Sequence, residues 1–448
     1  MTVFETLELE RCSELRLLDA EAAHRLVRDA RERSGQWPAE SAEILALEWD
    51  AIEAACLRNL DRNEEAAQLA RKVAASSVSG SEHARATALC VLGTQDIARG
   101  ELDSARRHFD EGLRLTESLA DPLLEANLLA MLGTSYLLQD RFLEAQRHLT
   151  RSVHSAPPNS LLIPTALGTL GGVLGAIGDH EGAARAYSEA LQRNERAGNR
   201  RGMAWARHNL AATLCNAQRL NEAEESNRVS LALLEGDDGG PAVRDAQLPG
   251  YAWLLQARIR SARNDVAGAL ESAEKALSWN RESGDPIRLG NALQRKGECL
   301  RAAGDLQAAL DCYAQSLECH SDARLHVEAY VGRARALSQL GRQSDAARAL
   351  DQADTLTREK AHVGARIEFL RAAVEVHEHA GRLDRALECQ RELHDSVVES
   401  LETTAASRIE QARLENELER LRSRAEALER SRADLKQQVT RRTADLRS

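Results

Sequence analysis

The chain is poor in several residue types that compact enzymes and secreted proteins use heavily. Aromatic residues make up only 3% of its 448 positions, which is low for a compact globular enzyme. The eight cysteines are scattered and form no CxxC pair, which favours unpaired thiols in a reducing compartment. No apolar run approaches the roughly 18 residues that span a bilayer, and the first residues do not resemble a signal peptide. We therefore expect a cytoplasmic protein without membrane insertion.

Charge and motif content exclude further classes of function. The net charge of −11 argues against a nucleic-acid binder, because such proteins are normally basic. The sequence contains no Walker loop, HExxH, GxSxG or paired-cysteine motif, and His377 and His379 lie two residues apart, on different faces of a helix. We therefore expect no enzymatic activity, no cofactor and no metal site.

What the chain does have is a repeat of small residues. A glycine or alanine is followed twelve positions later by an alanine, and the pair recurs about every forty residues. A ninth unit keeps the second position at Ala386 but has Val374 at the first. Self-similarity at this period predicts a stack of helix pairs, which bury a continuous core between neighbouring repeats. The first positions are Ala54, Gly93, Gly133, Gly171, Ala211, Ala257, Gly297 and Ala334, and the second are Ala66, Ala105, Ala145, Ala183, Ala223, Ala269, Ala309 and Ala346.

A turn residue separates the two helices of each unit. Glycine at this position supplies a left-handed helix cap, and an aspartate or serine after it caps the next helix. One interval between turns is longer than the others and contains residues 235–241, whose composition is typical of a mobile surface loop. The nine predicted turn positions are Asp61, Gly100, Asp140, Gly178, Gln218, Asn264, Gly304, Gly341 and Gly381.

Gly171, Ala183, Tyr187 and Ala190 show the full pattern of small residue, alanine, aromatic and alanine. This pattern resembles the tetratricopeptide repeat family, although the period is near 40 rather than 34 and no regular proline closes each unit. The resemblance implies an all-α, right-handed solenoid of about nine repeats. We assign residues 1–38 to degenerate capping helices, 39–396 to the solenoid and 397–448 to a coiled-coil helix.

In this family the first helix of each repeat lines a concave groove, so the resemblance implies a groove that takes a protein or peptide ligand. Trp205 and Tyr251 are the expected aromatic anchors, and Asn127, Asn291 and Gln294 are expected to bind the ligand backbone. The alternative is ordinary solvated helix surface. The candidate groove residues are Asn127, Thr134, Trp205, His208, Tyr251, Arg258, Asn291, Gln294, Arg301 and Arg335.

The fourth unit carries four glycines, Gly168, Gly171, Gly172 and Gly175, in one predicted helix. Each glycine lowers the stability of a helix by up to about 1 kcal/mol relative to alanine, so four of them in one helix require an explanation. We consider either tight packing between repeats, or a hinge or a place where a ligand approaches the backbone.

Leucines repeat in heptads near the C-terminus and predict a coiled coil that forms a parallel homodimer. The alternatives are a single solvated helix and a helix that packs back on the solenoid. The last residues, from Val439 to Leu446, resemble the linker helix of bacterial diguanylate cyclases and histidine kinases. This favours a sensor that relays a signal to an output domain absent from this chain, with a stand-alone adaptor or co-chaperone as the alternative. The predicted dimer residues are Leu414, Leu418, Leu421, Leu428, Leu435 and Val439.

Overall fold

A computed structural model describes residues 8–9, 11–12, 20–39, 41–119, 121–320, 322–360 and 363–445. All regular secondary structure in these ranges is helical, including one short 3-10 turn at Ser34–Gln36. The α-helices are α1 (Ala20–Glu32), α2 (Ala42–Asn59), α3 (Asn63–Ala74), α4 (Glu82–Ala98), α5 (Leu102–Thr116), α6 (Pro122–Leu137), α7 (Phe142–Ser155), α8 (Leu162–Ile177), α9 (His180–Arg196), α10 (Arg200–Asn216), α11 (Leu220–Glu235), α12 (Leu248–Ala262), α13 (Val266–Ser283), α14 (Pro286–Ala303), α15 (Leu306–Cys319), α16 (Ala323–Gln339), α17 (Gln343–Lys360), α18 (Val363–His379) and α19 (Leu383–Asp445).

Helices α2 to α19 form nine successive pairs, each joined by a short turn. All nine predicted turn positions have φ between 57° and 96°, in the left-handed region. Four of them are Asp61, Asp140, Gln218 and Asn264, which occupy the place that glycine takes in the other units. The number of repeats and their turns are therefore confirmed.

The residue after the turn decides how the second helix of each pair begins. Where it is aspartate, as in Asp179 and Asp265, its carboxylate accepts a backbone N–H from the residue three positions on. In three other units it is an arginine, whose guanidinium pairs with a glutamate three positions on and so bridges the first turn. These pairs are Arg62 with Glu65, Arg141 with Glu144 and Arg219 with Glu222.

The small residues are explained by close packing of the two helices in a pair. A Cβ added to Gly93 would lie 2.5 Å from the ring of Phe109, and one added to Gly133 would lie 2.7 Å from Leu149 Cγ. The direct partner of the first small residue is therefore the large side chain sixteen positions later. Tyr313 is fully buried and packs in the same way, since an added Cβ on Gly297 would lie 2.7 Å from its ring.

The described residues divide into two compact units. Unit 1 comprises the residues up to Ala166 and from Ala406 onward, and unit 2 comprises Leu167–Ala405. The boundaries fall inside α8 and α19, and the three predicted segments stay a prediction. Helix α19 begins at Leu383 as the second helix of the ninth pair and continues through residue 397 without a break.

Within unit 1, the C-terminal helix packs against α7 through polar side chains. Ser407 is fully buried and donates a hydrogen bond of 2.7 Å to Gln146 Oε1. Gln411 Oε1 accepts hydrogen bonds from Gln146 Nε2 at 3.0 Å and from Thr150 Oγ1 at 2.9 Å. This part of α19 therefore follows the second alternative for the C-terminal helix, which was packing back on the repeats.

Candidate binding surface

Three aromatic side chains meet in unit 2, and we call them the aromatic cluster. Trp205 and His208 come from α10, and Tyr251 comes from α12. Their ring centroids lie 6.2 Å apart for Trp205 and His208, 6.2 Å for Trp205 and Tyr251, and 6.3 Å for His208 and Tyr251. Trp205 and Tyr251 are half-buried, whereas His208 is buried beneath them. The two expected anchors are thus brought together by neighbouring repeats.

His208 is the buried member of the aromatic cluster, and its imidazole is neutral. Burial and, to a smaller extent, the positive charge of Arg258 lower its pKa to about 4, against a smaller opposing effect of Asn227. The imidazole is therefore uncharged at neutral pH. Because a neutral ring in a desolvated position accepts apolar neighbours, the cluster has the character of an apolar anchor site.

Asp245 fixes the orientation of Trp205. The indole N–H donates to Asp245 Oδ2 at 3.0 Å, and Arg201 Nε donates to the same oxygen at 2.9 Å. Asp245 belongs to the segment that joins α11 to α12. The segment is also held by Arg200, which pairs with both carboxylate oxygens of Asp238 at 2.7 and 2.8 Å. Side chains of α10 therefore form hydrogen bonds and ion pairs with the segment between α11 and α12.

A layer of buried amides supports the aromatic cluster from α11. Asn227 is fully buried, and its Nδ2 donates to the carbonyl of Ala252 at 3.1 Å and to Gln256 Oε1 at 2.9 Å. Because both hydrogen bonds of this amide reach the next repeat, they favour one arrangement of the two helices that they join. They hold α12 against α11, and Tyr251 with it, before any ligand arrives.

A second concave feature of unit 2 is a pocket of about 220 Å³, which we call the charged pocket. Its walls come from the first helices of three successive pairs, α14, α16 and α18. Burial raises the pKa of Glu328, while Arg335 Nε donates to Glu375 Oε2 at 2.9 Å. One of its lining residues, Arg335, is also a predicted groove residue. The lining residues are Glu298, Arg324, Val327, Glu328, Val331, Arg335, Gly364, Ala365 and Glu368.

Other predicted groove residues of unit 2 are engaged by their own chain. Arg258 Nη2 donates to the carbonyl of Ala212 at 3.1 Å, and Gln294 is buried with its Nε2 on Glu298 Oε1 at 2.7 Å. Asn291 and Arg301 are half-buried. Their assignment to a binding groove stays a prediction.

Two predicted groove residues lie in unit 1 and are considered separately. Asn127 Nδ2 donates to Cys90 Sγ at 3.3 Å, and Thr134 Oγ1 donates to the carbonyl of Ala130 at 2.9 Å. Both side chains are half-buried. Neither belongs to the aromatic cluster or to the charged pocket.

Sequence reasoning missed Asp245 and Asn227, although both left a signal. Asp245 stands shortly before Leu248-Pro249, and an aspartate ahead of a helix that opens on proline is a helix-cap pattern. Asn227 lies four residues after Ala223, where Phe109 and Tyr187 occupy the equivalent positions of other units. A polar residue in that apolar position indicates a specific hydrogen-bonding role.

The predicted dimer residues all lie on α19. Leu414 and Leu418 are half-buried and Leu421 is exposed. The side chains of Leu428, Leu435 and Val439 lie outside the described residues. Dimerisation through this seam stays a prediction.

Two further properties of the described residues concern metal binding and membrane insertion. In this part of the chain, no three histidine, cysteine, aspartate or glutamate side chains are grouped so that they could hold a metal ion. None of the described helices combines the length and the apolar character required to cross a membrane.

Residues 162–236 match the tetratricopeptide repeat family, whereas no curated protein matches the chain. The apo form of the quorum sensor NprR from B. thuringiensis is a similar structure, with 13% identity and a TM-score of 0.58 over 80% of this chain and 99% of that one. A Rap protein complexed with competence and sporulation factor has 12% identity and a TM-score of 0.53 over 89% and 99%. Aspartyl phosphate phosphatase F from Bacillus subtilis has 13% identity and a TM-score of 0.53 over 79% and 94%.

At these identities the structural likeness shows the fold alone. Together with the family match, it supports an all-α protein of the tetratricopeptide repeat class, so the predicted fold class is confirmed at this level. The handedness of the solenoid and the coiled coil stay predictions.

Proposed function

We propose that the chain is a non-enzymatic regulatory protein that binds a peptide or a protein segment along the first helices of unit 2. The observation that carries this proposal is the aromatic cluster, in which Asp245 and Asn227 hold Trp205 and Tyr251 in place without a ligand. Sites of this kind bind well because little side-chain freedom is lost when the ligand arrives.

The two features of unit 2 suit different parts of one ligand. The aromatic cluster offers half-buried apolar surface with a neutral floor, which favours an apolar or aromatic side chain. The charged pocket offers carboxylate and guanidinium groups, which fix the orientation of a polar side chain or of a chain terminus. We therefore expect a ligand with an apolar residue and a charged residue rather than a uniformly apolar one.

The similar structures favour a regulatory role over passive assembly. One of them is a Rap protein in complex with competence and sporulation factor, and another is a quorum sensor. The continuity of α19 with the ninth pair adds to this argument, because one unbroken helix joins that pair to the proposed dimer residues. We propose that α19 dimerises through Leu414, Leu418 and Leu421 and relays the ligand-bound state to an output partner.

Retention of a positional-scanning library of synthetic decapeptides on the immobilised full chain tests the binding proposal. We expect wild-type protein to retain a defined subset, read by mass spectrometry, and Trp205→Ala to retain roughly thirtyfold less, which corresponds to the ~2 kcal/mol of a buried aromatic anchor. Trp279→Ala is the matched control, because Trp279 is 43% exposed on the second helix of its pair. Equal loss in both variants contradicts the assignment.

A further inference from the structure

Four glycines fall within eight residues of α8, and packing explains only one of them. A Cβ on Gly171 would lie 2.7 Å from Tyr187 Cζ, so this position excludes any larger residue. At Gly168, by contrast, no atom of the described residues lies within 4 Å of an added Cβ. At Gly172 the nearest atom is 3.7 Å away, and at Gly175 it is 4.0 Å away. Alanine would fit at these three positions without displacing any neighbour.

Gly168, Gly172 and Gly175 share one side of α8, since their spacing of four and three places them above one another. All three are half-buried, so they are open on one side. We call them the glycine face. Glycine is among the least favourable residues in a helix interior, and three such choices without a packing reason indicate that a bare backbone is needed there.

The hydroxyl group of a buried tyrosine side chain, Tyr187, lies at the glycine face. The ring of Tyr187 covers Gly171, its side chain is only 7% exposed, and its hydroxyl lies 3.7 Å from the place of a Cβ on Gly172. The described residues give this hydroxyl no hydrogen-bond partner. Burial raises the pKa of Tyr187 to about 12, so the hydroxyl keeps its proton at neutral pH and has a hydrogen bond to donate.

We infer that the glycine face is a backbone-docking site for the peptide ligand. A segment with glycine or alanine at the crossing point lies against the bare backbone of α8, and one of its carbonyl oxygens accepts a hydrogen bond from the Tyr187 hydroxyl. Small residues on both sides are needed because a longer side chain on either chain would hold the two backbones apart. The inference rests on the proposed function, since it names a part of the same ligand surface.

Replacing all three glycines by alanine separates binding from folding. The variant Gly168→Ala/Gly172→Ala/Gly175→Ala is expected to have a higher Tm than wild type, because helix propensity rises and nothing clashes. Its retention of the decapeptide library is expected to fall about tenfold or more, and glycine or alanine is expected to dominate one position among the peptides that wild type retains. Tyr187→Phe, which removes only the hydroxyl, is expected to lower retention about fivefold.

Three results overturn the inference. The first is a triple variant that is more stable and yet retains the library as wild type does. The second is loss of retention in Trp205→Ala alone, with Tyr187→Phe and the glycine variants unchanged, which leaves the proposed function standing. The third is a wild-type chain that retains no peptide at all, which removes the proposed function as well. If the triple variant is impaired in folding, the single variant Gly168→Ala and Tyr187→Phe decide the question by the same measurement.

Discussion

Trp205 and Asp245 form one connected unit of the proposed binding surface. Oδ2 of Asp245 accepts the indole N–H of Trp205 at 3.0 Å, while Oδ1 of the same carboxylate accepts the backbone N–H groups of Gln247 and Leu248 at 2.9 and 2.8 Å. The first contact orients an aromatic anchor, and the second begins α12. Binding geometry and helix initiation therefore depend on one side chain.

Asp245→Ala is expected to reduce both stability and binding. Loss of the hydrogen bonds that Asp245 accepts from the N–H groups of Gln247 and Leu248 costs about 1 kcal/mol, which urea denaturation detects, and the freed indole is expected to weaken retention of the decapeptide library. Asp265→Ala is the matched control, because Asp265 caps α13 through the N–H of Gly268 and contacts none of the three rings. It is expected to lose similar stability with unchanged retention. If both variants bind alike, Asp245 does not position Trp205.

Gly93→Ala tests the account of the small residues. The added methyl group would lie 2.5 Å from the Phe109 ring, and overpacking of this kind costs about 1–3 kcal/mol, which exceeds the roughly 1 kcal/mol that alanine gains in helix propensity. We expect net destabilisation of up to about 2 kcal/mol in urea denaturation. Gly168→Ala, with no atom in reach, is expected to be stabilising. The account fails if the two substitutions have the same sign.

The pKa of His208 makes stability depend on pH in the acid range. Burial lowers this pKa from 6.5 to about 4 in the folded chain, so the unfolded chain binds more protons between these values. The contribution of neutral His208 to the free energy of unfolding is fully present above pH 6.5 and is lost as the pH falls towards 4. The free energy of unfolding changes by at most about 1.4 kcal/mol per pH unit because of this one group.

His208→Gln is expected to flatten the dependence of the free energy of unfolding on pH between 6.5 and 4.5, measured by urea denaturation. Part of the slope is expected to stay, because burial also lowers the pKa of His148 to about 4. Parallel curves for wild type and variant would show that His208 titrates normally in the folded chain.

Charges introduced into the predicted dimer seam are expected to separate two copies of the chain. Leu418→Glu together with Leu421→Glu places carboxylates where the proposed seam requires apolar contact, and light scattering is expected to report half the mass of wild type. Leu401→Glu is the control, because Leu401 lies earlier on α19, outside the predicted seam, and is 64% exposed. If the wild-type chain is already a monomer, the proposed dimer seam is wrong.

The repeat was predictable because its causes are local. A left-handed turn needs glycine, asparagine, aspartate or a similar residue at a fixed place, and a close helix crossing needs a small residue, so Gly178 and Gly171 left a periodic signal. The same signal located Trp205 and Tyr251 on neighbouring first helices, where the structure brings their rings together.

Long-range polar contacts carried no such signal. Ser407 and Gln146 are 261 positions apart, and nothing periodic relates a serine of α19 to a glutamine of α7. The contacts of the segment between α11 and α12 were unpredictable for a similar reason, since nothing in its composition relates Asp238 to Arg200 or Asp245 to Trp205. Composition reports what a segment is able to do alone, whereas these partners are set by the fold.

The most direct test is the dissociation constant of a peptide that wild-type protein selects from the decapeptide library, measured by fluorescence anisotropy with three proteins. The account predicts that Trp205→Ala raises the dissociation constant roughly thirtyfold, while Trp279→Ala leaves it within about twofold of wild type. An unchanged dissociation constant for Trp205→Ala would contradict the claim that the aromatic cluster is where this protein binds its ligand.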